Sequence, residues 1–571
     1  METVTLAYKH QRAALDEAGS SAERLRLGAV YTPAILADWV AQLALDLSTT
    51  SQPDVLDFGC GEGALLTAIA SKAPNASLAG ADTNALAVRR AKQNLPAGSK
   101  LFVQDVLDLP TQPTVSLRDY WVRRIGSNPN VLIMNPPWGA EHTVSSAAAR
   151  QSGLSLARGQ YDTYDLFCEL GLQVIAQGGV YALILPDSLF LPEHEALRAL
   201  LSTKTTIHLI ARLGEGVFEG VYRGCVVVVG RKQPPSADHA VECLRLTKAE
   251  RSRISSGLSF SDVCATLTHA VPQSRFSSDK HFRFDIDVSQ ADRTVFAISQ
   301  QGGDWTKHLI SSRGTELSKH GKVVLCKSCG LAHPLPKGEF PRCRGCGTSL
   351  NTDDVTLIVR PSRSRDGSWA PFIVGEDVSR YEARPRRWIK TGVSGINYKK
   401  RNKKGEARLL IRKTGVGIHA TIDESDAVTN QVVFDYKMKP SAKFPFSYLH
   451  YILGVLCSRA MFAYHLKRGG EMEWRSHPYL TQKTIAQLPI PVPRQGTESW
   501  AQAAAIASAV QRHLKTGLHD MEIEGLVAGL LNLNAKDLEW VQLVLEQAAD
   551  LEPMRRLRVS DLKSLCVIRA D

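Results

Sequence analysis

The sequence predicts an α/β protein in which a mostly parallel, Rossmann-like sheet with helices on both faces is followed by an α+β domain. Between about residues 54 and 230, short β-rich runs alternate with helical patterns, as they do in sheets of this kind. A glycine-rich loop follows the first of these strands. After about residue 233 the sequence becomes irregular, with short β-like pieces and helical stretches near its end, which predicts a second domain of mixed structure.

Composition and charge narrow the class of protein. The chain has 571 residues, of which 44% are hydrophobic and 22% charged, and this excludes a disordered, collagen-like or coiled-coil protein. Its net charge of +12 suits a polyanionic partner. No apolar run approaches the roughly 18 residues that span a bilayer, and the N-terminus lacks the order of a signal peptide. We therefore expect a cytoplasmic protein without membrane contacts.

The first predicted strand ends near Asp57 and continues into the loop G-C-G-E-G at 59–63. Glycines let a backbone turn tightly and approach a ligand closely. The spacing differs from the G-x-G-x-x-G of dinucleotide-binding proteins. It is similar to the D-x-G-x-G-x-G loop of S-adenosylmethionine-dependent methyltransferases. This resemblance implies S-adenosyl-L-methionine as the cofactor, held by Asp57, Gly59, Gly61 and Gly63.

Two further acids end the next predicted strands. Asp82 lies nineteen residues beyond Gly63, where a carboxylate can accept hydrogen bonds from both ribose hydroxyls. Asp105 ends the third strand and is placed to accept from an adenine amine, with Val106 packing on the ring. Either acid alone could simply cap the next helix. Together with the glycine loop, their order and spacing predict a nucleoside pocket.

The fourth predicted strand, Val131–Met134, continues into Asn135, Pro136, Pro137 and Trp138. By itself, Asn-Pro-Pro could be only a turn. At the end of a strand in this sheet, however, the string resembles the [DNS]-P-P-[YFW] motif of amino-group methyltransferases. The resemblance implies that these four residues are catalytic.

Their chemistry suits methylation of an exocyclic amine, which is a poor nucleophile because its lone pair is delocalised into the ring. If the Asn135 side-chain oxygen and the Pro136 carbonyl each accept one N–H, the lone pair is freed to attack. The prolines fix the backbone that holds this carbonyl, and Trp138 offers a flat face to a flipped base. No strong general base is needed, because the methyl donor is a sulfonium cation.

The order of the motifs is similar to that of one family. The Y-T-P string that begins at Tyr31 resembles the segment preceding the cofactor loop in N6-adenine DNA methyltransferases. A cofactor region, then N-P-P-W, then a recognition domain is the gamma-class order, and the chain resembles TaqI-type members over most of its length. This implies Tyr31 and Thr32 at the cofactor and Phe218 stacked on the target adenine. Taken alone, Phe218 is typical of a core aromatic, and Tyr222 is a nearby competitor.

Four cysteines in the second half form two C-x2-C pairs separated by thirteen residues: Cys326, Cys329, Cys343 and Cys346. Four thiolates at this spacing can hold zinc tetrahedrally. Because every position is cysteine, none is left for water, and the zinc is expected to be structural. A disulfide or redox dithiol fits a reducing compartment poorly. The preceding R-G-T-E-L segment resembles the linker into TaqI-type recognition domains.

The segment 380–413 is strongly basic, with thirteen Lys and Arg against two acids. Tyr381, Trp388 and Tyr398 are interleaved with these charges, as expected where phosphates and unstacked bases are held. A solvated loop is the alternative. The residues expected to bind DNA are Arg386, Arg387, Lys399, Lys400, Arg401, Lys403 and Lys404.

The predicted activity is site-specific transfer of a methyl group from S-adenosyl-L-methionine to N6 of a flipped-out adenine in duplex DNA. The resemblance implies a bacterial or archaeal, nucleoid-associated enzyme of a restriction-modification or phage-defence system, with a separate cognate endonuclease or defence proteins as partners. The expected segments are a methyltransferase domain at 1–235, a connection at 236–310, a zinc ribbon at 311–355, a DNA target-recognition domain at 356–495 and a helical region at 496–571.

Three alternatives remain. N-P-P-aromatic strings also occur in methyltransferases that act on RNA or on a protein glutamine, but the long, basic, zinc-bearing second half favours DNA. A methyltransferase-like DNA-binding specificity subunit with a decayed active site would not need intact Asp57, Asp82, Asp105 and Asn135. A fused nuclease is not favoured, because the second half has no recognisable paired-carboxylate-and-lysine site.

Overall fold

The computed structural model describes residues 32–108, 115–218, 224–289, 292–335, 341–362, 367–399, 402–415, 417–468 and 480–548. They divide into two units, the first ending at Asp287 and the second beginning at Val288. Each unit has its own sheets and core.

The first unit is built on a large mixed sheet. Its strands are β1 (Asp54–Phe58), β2 (Ser77–Asp82), β3 (Lys100–Val103), β4 (Val131–Met134), β5 (Val180–Pro186), β6 (Thr206–Gly214), β7 (Cys225–Arg231), β8 (Ala240–Arg245) and β9 (His269–Pro272). Its helices are α1 (Ala34–Leu47), α2 (Ala64–Lys72), α3 (Ala85–Asn94), α4 (Leu117–Ile125), α5 (Ser146–Gln151), α6 (Thr163–Val174), α7 (Glu195–Lys204), α8 (Lys248–Ser255), α9 (Phe260–Cys264) and α10 (Gln273–Ser278).

The strand order is β3-β2-β1-β4-β5-β7-β6-β8-β9. Strands β1 to β5 are parallel, and β7 runs antiparallel to β5 and β6. Both faces are covered, because Val131 and Ile133 of β4 belong to one apolar cluster while Leu132 and Met134 belong to the other. This explains the continuous hydrophobic runs of the central strands and confirms the α/β prediction.

The first unit extends beyond the break near residue 235 that the sequence indicates. Strand β8 pairs with β6, and β9 then pairs with β8 at the edge of the sheet. The proline-rich stretch near 233 is therefore a turn on the way back to the same sheet.

The second unit combines several small sheets with helices. Its strands are β10 (Leu309–Arg313), β11 (Lys322–Leu325), β12 (Ala332–Pro334), β13 (Val355–Leu357), β14 (Val359–Arg360), β15 (Trp369–Ile373), β16 (Val378–Ser379), β17 (Glu382–Ala383), β18 (Arg387–Lys390), β19 (Arg408–Arg412), β20 (Ala420–Asp423), β21 (Val428–Thr429) and β22 (Val433–Met438). Its helices are α11 (Arg293–Gln300), α12 (Tyr448–Leu456), α13 (Arg459–Arg468), α14 (Gln482–Ala486), α15 (Glu498–Thr516), α16 (Asp520–Leu530) and α17 (Ala535–Ala548).

The core of the second unit lies between the sheet β10-β22-β19-β20 and the later helices. Leu409 and Phe434 of the sheet share one buried cluster with Tyr451 and Ile452 of α12 and Val510 of α15. The α+β prediction for this half is confirmed. Among the residues that the structure describes, no helix has both the length and the apolar character needed to cross a membrane.

Candidate active site

The glycine loop leaves β1 and turns directly into α2. Gly59, Gly61 and Gly63 have φ values of 80°, 51° and 82°, which residues with a side chain rarely adopt. A Cβ at Gly63 would lie 3.3 Å from the side chains of Ala91 and Leu95, whereas a Cβ at Gly61 would meet nothing within 4 Å. Gly63 therefore permits close packing of α2 on α3, while Gly61 borders open space that a ligand could fill.

Asp57 and Asp82 lie next to this loop at the ends of β1 and β2. The Asp82 carboxylate accepts the N–H of Gly61 and that of Asn84, each at 2.8 Å. Asp57 is buried, and its Oδ1 accepts no hydrogen bond from the described part of the chain. A buried carboxylate oxygen normally has a partner. The Asp57 oxygen is therefore an acceptor that a bound cofactor could use, and in this respect the site fits such a group.

Burial sets the electrostatics of both acids. It raises the pKa of Asp57 well above its usual range, and the nearby Asp82 raises it further. Burial also raises the pKa of Asp82, although backbone hydrogen bonds from Asn84, Gly61 and Thr83 act in the opposite direction. A positively charged or hydroxyl-bearing ligand would relieve this unfavourable burial of charge.

Asp105 lies at the same edge of the sheet, two residues after β3. The backbone of the preceding Gln104 donates to Asp82 O at 2.9 Å, and Asp105 Oδ1 accepts the N–H of Leu107 at 2.9 Å. Val106 is 2% exposed and belongs to the core. The three acids are thus brought to one sheet edge, where open α/β sheets bind ligands.

The N-P-P-W motif directly follows β4 and lies against the glycine loop. A Cβ at Gly59 would lie 3.7 Å from Asn135 O and 3.8 Å from Pro137 Cδ. Asn135 is buried, and its Nδ2 donates to Thr32 Oγ1 at 3.1 Å. The structure therefore brings Thr32, the glycine loop and Asn135 together, and the Thr32 hydroxyl fixes the orientation of the Asn135 amide.

Trp138 and Phe218 contact each other, and neither ring presents an open face. Their ring centroids are 5.1 Å apart with an interplanar angle of 82°, a favourable edge-to-face contact. They are 4% and 3% exposed. A flipped base would reach either ring only after the two have separated. Tyr31, Tyr222, Lys400 and Arg401 lie outside the described residues.

The four cysteines of the second unit form a compact cluster beside β11. Sγ of Cys326 lies 3.5 Å from that of Cys346, and Sγ of Cys329 lies 3.5 Å from that of Cys343. All four sulfur atoms lie within 4.8 Å of one another. Zinc–sulfur bonds of about 2.3 Å at tetrahedral angles require sulfur separations of about 3.8 Å. The thiols therefore fit a tetrahedral metal ion.

Some residues of the basic segment have structural roles. Arg408 is 2% exposed and forms ion pairs with Asp423 at 2.7 Å and Asp435 at 2.8 Å. Arg380 forms ion pairs with Asp520 at 2.6 Å and Glu524 at 3.0 Å. These guanidinium groups are paired with carboxylates of the second unit, so the charge available to a partner is smaller than the sequence count.

The remaining described residues of the predicted DNA-binding set lie at the surface. Arg386, Lys399, Lys403 and Lys404 are exposed. Arg387 is half-buried, and its guanidinium pairs with Glu376 and Asp377.

Sequence reasoning missed the contacts of the segment that follows Trp138. Gly139 N–H donates to Asp162 Oδ1 at 2.9 Å, and Thr163 Oγ1 donates to Ala140 O at 3.2 Å. The available signal was the capping pattern D-T-Y-D at 162–165 before the apolar helix α6.

Three sequence families match parts of the chain. Residues 29–152 match the methyltransferase small domain, residues 128–218 match the Eco57I restriction-modification methylase, and residues 370–490 match the TaqI-like C-terminal specificity domain. Among curated proteins, none is similar enough in sequence to match.

Solved structures of several restriction-modification proteins are similar to this chain. A methyltransferase subunit of a type I restriction-modification system from Streptococcus thermophilus is 17% identical, with 44% of this chain and 58% of that chain covered and a TM-score of 0.35. The type IIL restriction-modification enzyme MmeI, solved in complex with DNA, is 12% identical, with 96% and 80% covered and a TM-score of 0.50. The second likeness shows a shared fold. In sequence, residues 29–218 therefore match methyltransferase families, one of them from restriction-modification systems, and residues 370–490 match a TaqI-like specificity domain.

Proposed function

We propose that this chain transfers a methyl group from S-adenosyl-L-methionine to N6 of an adenine flipped out of duplex DNA. The observation that carries the proposal is the approach of the glycine loop to the N-P-P-W motif, with Asn135 O 3.7 Å from the Cβ position of Gly59. A loop open to a ligand and a rigid pair of amine acceptors thus share one sheet edge.

The cofactor region is proposed to bind and orient the methyl donor. Asp82 accepts from the ribose hydroxyls, Asp105 accepts from the adenine amine, and the backbone at Gly61 lies against the ligand. When bound, S-adenosyl-L-methionine supplies a methyl group already activated by the sulfonium charge. The further cofactor residues are Tyr31, Thr32, Asp57, Gly59, Gly63 and Val106.

Asn135 and Pro136 are proposed to orient the target amine. Its two N–H groups donate to Asn135 Oδ1 and Pro136 O, which frees the nitrogen lone pair for attack, and the nitrogen loses one of its protons to solvent after the transfer. Since Asn135 Nδ2 already donates to Thr32, the side-chain oxygen is the end of the amide presented to the base. Orientation and fixed dipoles therefore supply most of the rate acceleration.

The target base is proposed to stack on Trp138 and Phe218 once their contact opens. Extrusion of a base costs a few kcal/mol, which this stacking and contacts to phosphates offset. The residues proposed to bind phosphates are Arg386, Arg387, Lys399, Lys400, Arg401, Lys403 and Lys404.

The cysteine cluster is proposed to hold one structural zinc ion. The enzyme is proposed to act in the cytoplasm, with a separate cognate endonuclease as its partner.

The test is transfer of labelled methyl groups from S-adenosyl-L-methionine to unmethylated duplex DNA, with RNA and protein acceptors in parallel. Label in DNA alone supports the proposal. Label only in RNA or protein would retain the Asn135 chemistry and contradict the substrate, and no label in any acceptor despite cofactor binding would contradict the activity.

A further inference from the structure

The segment after Trp138 is fixed by the start of α6. The N–H of Gly139 donates to Asp162 Oδ1 at 2.9 Å, and the carbonyl of Ala140 accepts from Thr163 Oγ1 at 3.2 Å. Gly139 has a φ of 66°, so this N–H points in a direction that few other residues would allow. Two consecutive backbone groups beyond the N-P-P-W motif are therefore held by one helix terminus.

Asp162 is itself held from the interior of the first unit. Its N–H donates to Asp165 Oδ2 at 2.9 Å. The Asp165 carboxylate also contacts His194 Nδ1 at 2.8 Å, and both side chains are buried. The Tyr164 ring stacks on His194 with a centroid distance of 4.8 Å. A capping box at a protein surface is usually free to fray, whereas this one is packed in place.

The same helix reaches the glycine loop. Phe167 Cε1 lies 3.8 Å from the Cβ position of Gly59, close to the 3.7 Å of Asn135 O. The N-terminus of α6 thus contacts the continuation of the catalytic motif, and its second turn contacts the cofactor loop through Phe167. Because Phe167 is packed in the core, loss of the Asp162 contact should loosen the first of these contacts and leave the second in place.

We propose that Asp162 is a positioning residue that acts through Gly139 to hold Trp138 where the target base stacks. This inference rests on the proposed function, because the position of Trp138 matters only if a base is methylated there. Catalysis by orientation is sensitive to displacements of about 1 Å, which can cost about 100-fold in rate. The carboxylate acts as a hydrogen-bond acceptor, so its charge is not required.

The test compares Asp162→Ala with Asp162→Asn, which keeps an acceptor oxygen. We expect Asp162→Ala to lower kcat by about 10- to 100-fold with cofactor affinity unchanged, and to speed hydrogen–deuterium exchange in a peptide spanning 135–142. Asp162→Asn should retain both kcat and protection. The matched control is Ser116→Ala, which removes a cap from α4 and should change neither quantity.

Several outcomes would overturn the positioning role: normal kcat in Asp162→Ala, equal loss in Asp162→Asn, or equal loss in Ser116→Ala. If Asp162→Ala does not fold, Asp162→Ser retains a hydroxyl that can cap α6 but shortens the side chain that reaches Gly139, and it should lower kcat while protection is lost. Normal kcat in that variant would also overturn the inference. A wild-type chain inactive on DNA would contradict the proposed function, whereas an active wild type with an unimpaired Asp162→Ala would overturn the positioning role alone.

Discussion

Asn135 is the residue on which the proposed chemistry depends most directly. Asn135→Ala removes the side-chain acceptor of the target amine, so methyl transfer should fall by about 100- to 1000-fold, as when a fixed polar group is lost from other transition states. Cofactor and DNA dissociation constants should change little. Asn94→Ala, at the exposed end of α3, is the control and should retain full turnover. Retained turnover in Asn135→Ala would refute the assigned role.

Asp57 gives a pH-dependent prediction for the cofactor-free protein. Its pKa is raised in the folded state, so folding favours the protonated acid, and stability is lost as pH rises from the usual range of an aspartate through the raised value. Asp57→Asn removes the ionisable group. The melting temperature of the variant minus that of wild type should therefore be larger at pH 8 than at pH 5.

The control for this comparison is Asp238→Asn at an exposed position. Because this side chain is exposed, its replacement should change the melting temperature little. The melting-temperature difference between Asp57→Asn and wild type could instead be equal at both pH values or decrease as pH rises. Either result would show that Asp57 is not a buried acid with a raised pKa.

The sequence was enough to predict that Asp57, Asp82, Asp105 and Asn135 lie at one edge of the sheet, because each lies at or just after the end of a parallel strand. It could not find Asp162. A capping pattern is common in helices, and only the folded chain shows that this carboxylate also accepts the N–H of Gly139.

Among the elements of the second unit, the loop around Lys399 is proposed to bind phosphates. Reversal of charge at Lys399, Lys403 and Lys404 should weaken DNA binding and reduce the slope of log K against log salt by about 0.9 for each lost contact. The measurement is a salt titration of DNA affinity. An equal reversal at the exposed Lys443, Lys515 and Lys536 is the control, and an unchanged slope in the first variant would exclude this loop from the interface.

The cluster of four cysteines gives a second prediction. Metal analysis should return about one zinc ion per chain, and Cys343→Ser should lower both zinc content and the stability of the second unit, since metal binding contributes to folding. Cys264→Ala, a buried thiol far from the cluster in the chain, should retain the metal. Full zinc content in Cys343→Ser would contradict the four-thiolate site.

The elements show why some boundaries could not be predicted. A stretch with two prolines near residue 233 is typical of a linker, but β8 pairs on the edge of the sheet formed by the preceding strands. Strand pairing over such a distance depends on which edge is free, and a single sequence does not reveal this. Likewise, the sequence of the basic segment does not show that Arg408 forms ion pairs with Asp423 and Asp435.

For the whole molecule, the sequence predicted the two-part architecture because hydrophobic periodicity records which faces of an element are buried. It did not predict the order of the small sheets in the second unit. Their strands are as short as two residues and are held by side-chain contacts far apart in the chain.

The roles assigned to these residues all depend on methylation of adenine N6 in duplex DNA. The most direct measurement is chemical identification and single-molecule sequencing of the DNA after incubation with the chain and S-adenosyl-L-methionine. We expect N6-methyladenine to be confined to one short sequence motif and to be absent with Asn135→Ala. Methylated cytosine in place of N6-methyladenine, or label in another acceptor with unmodified DNA, would contradict it.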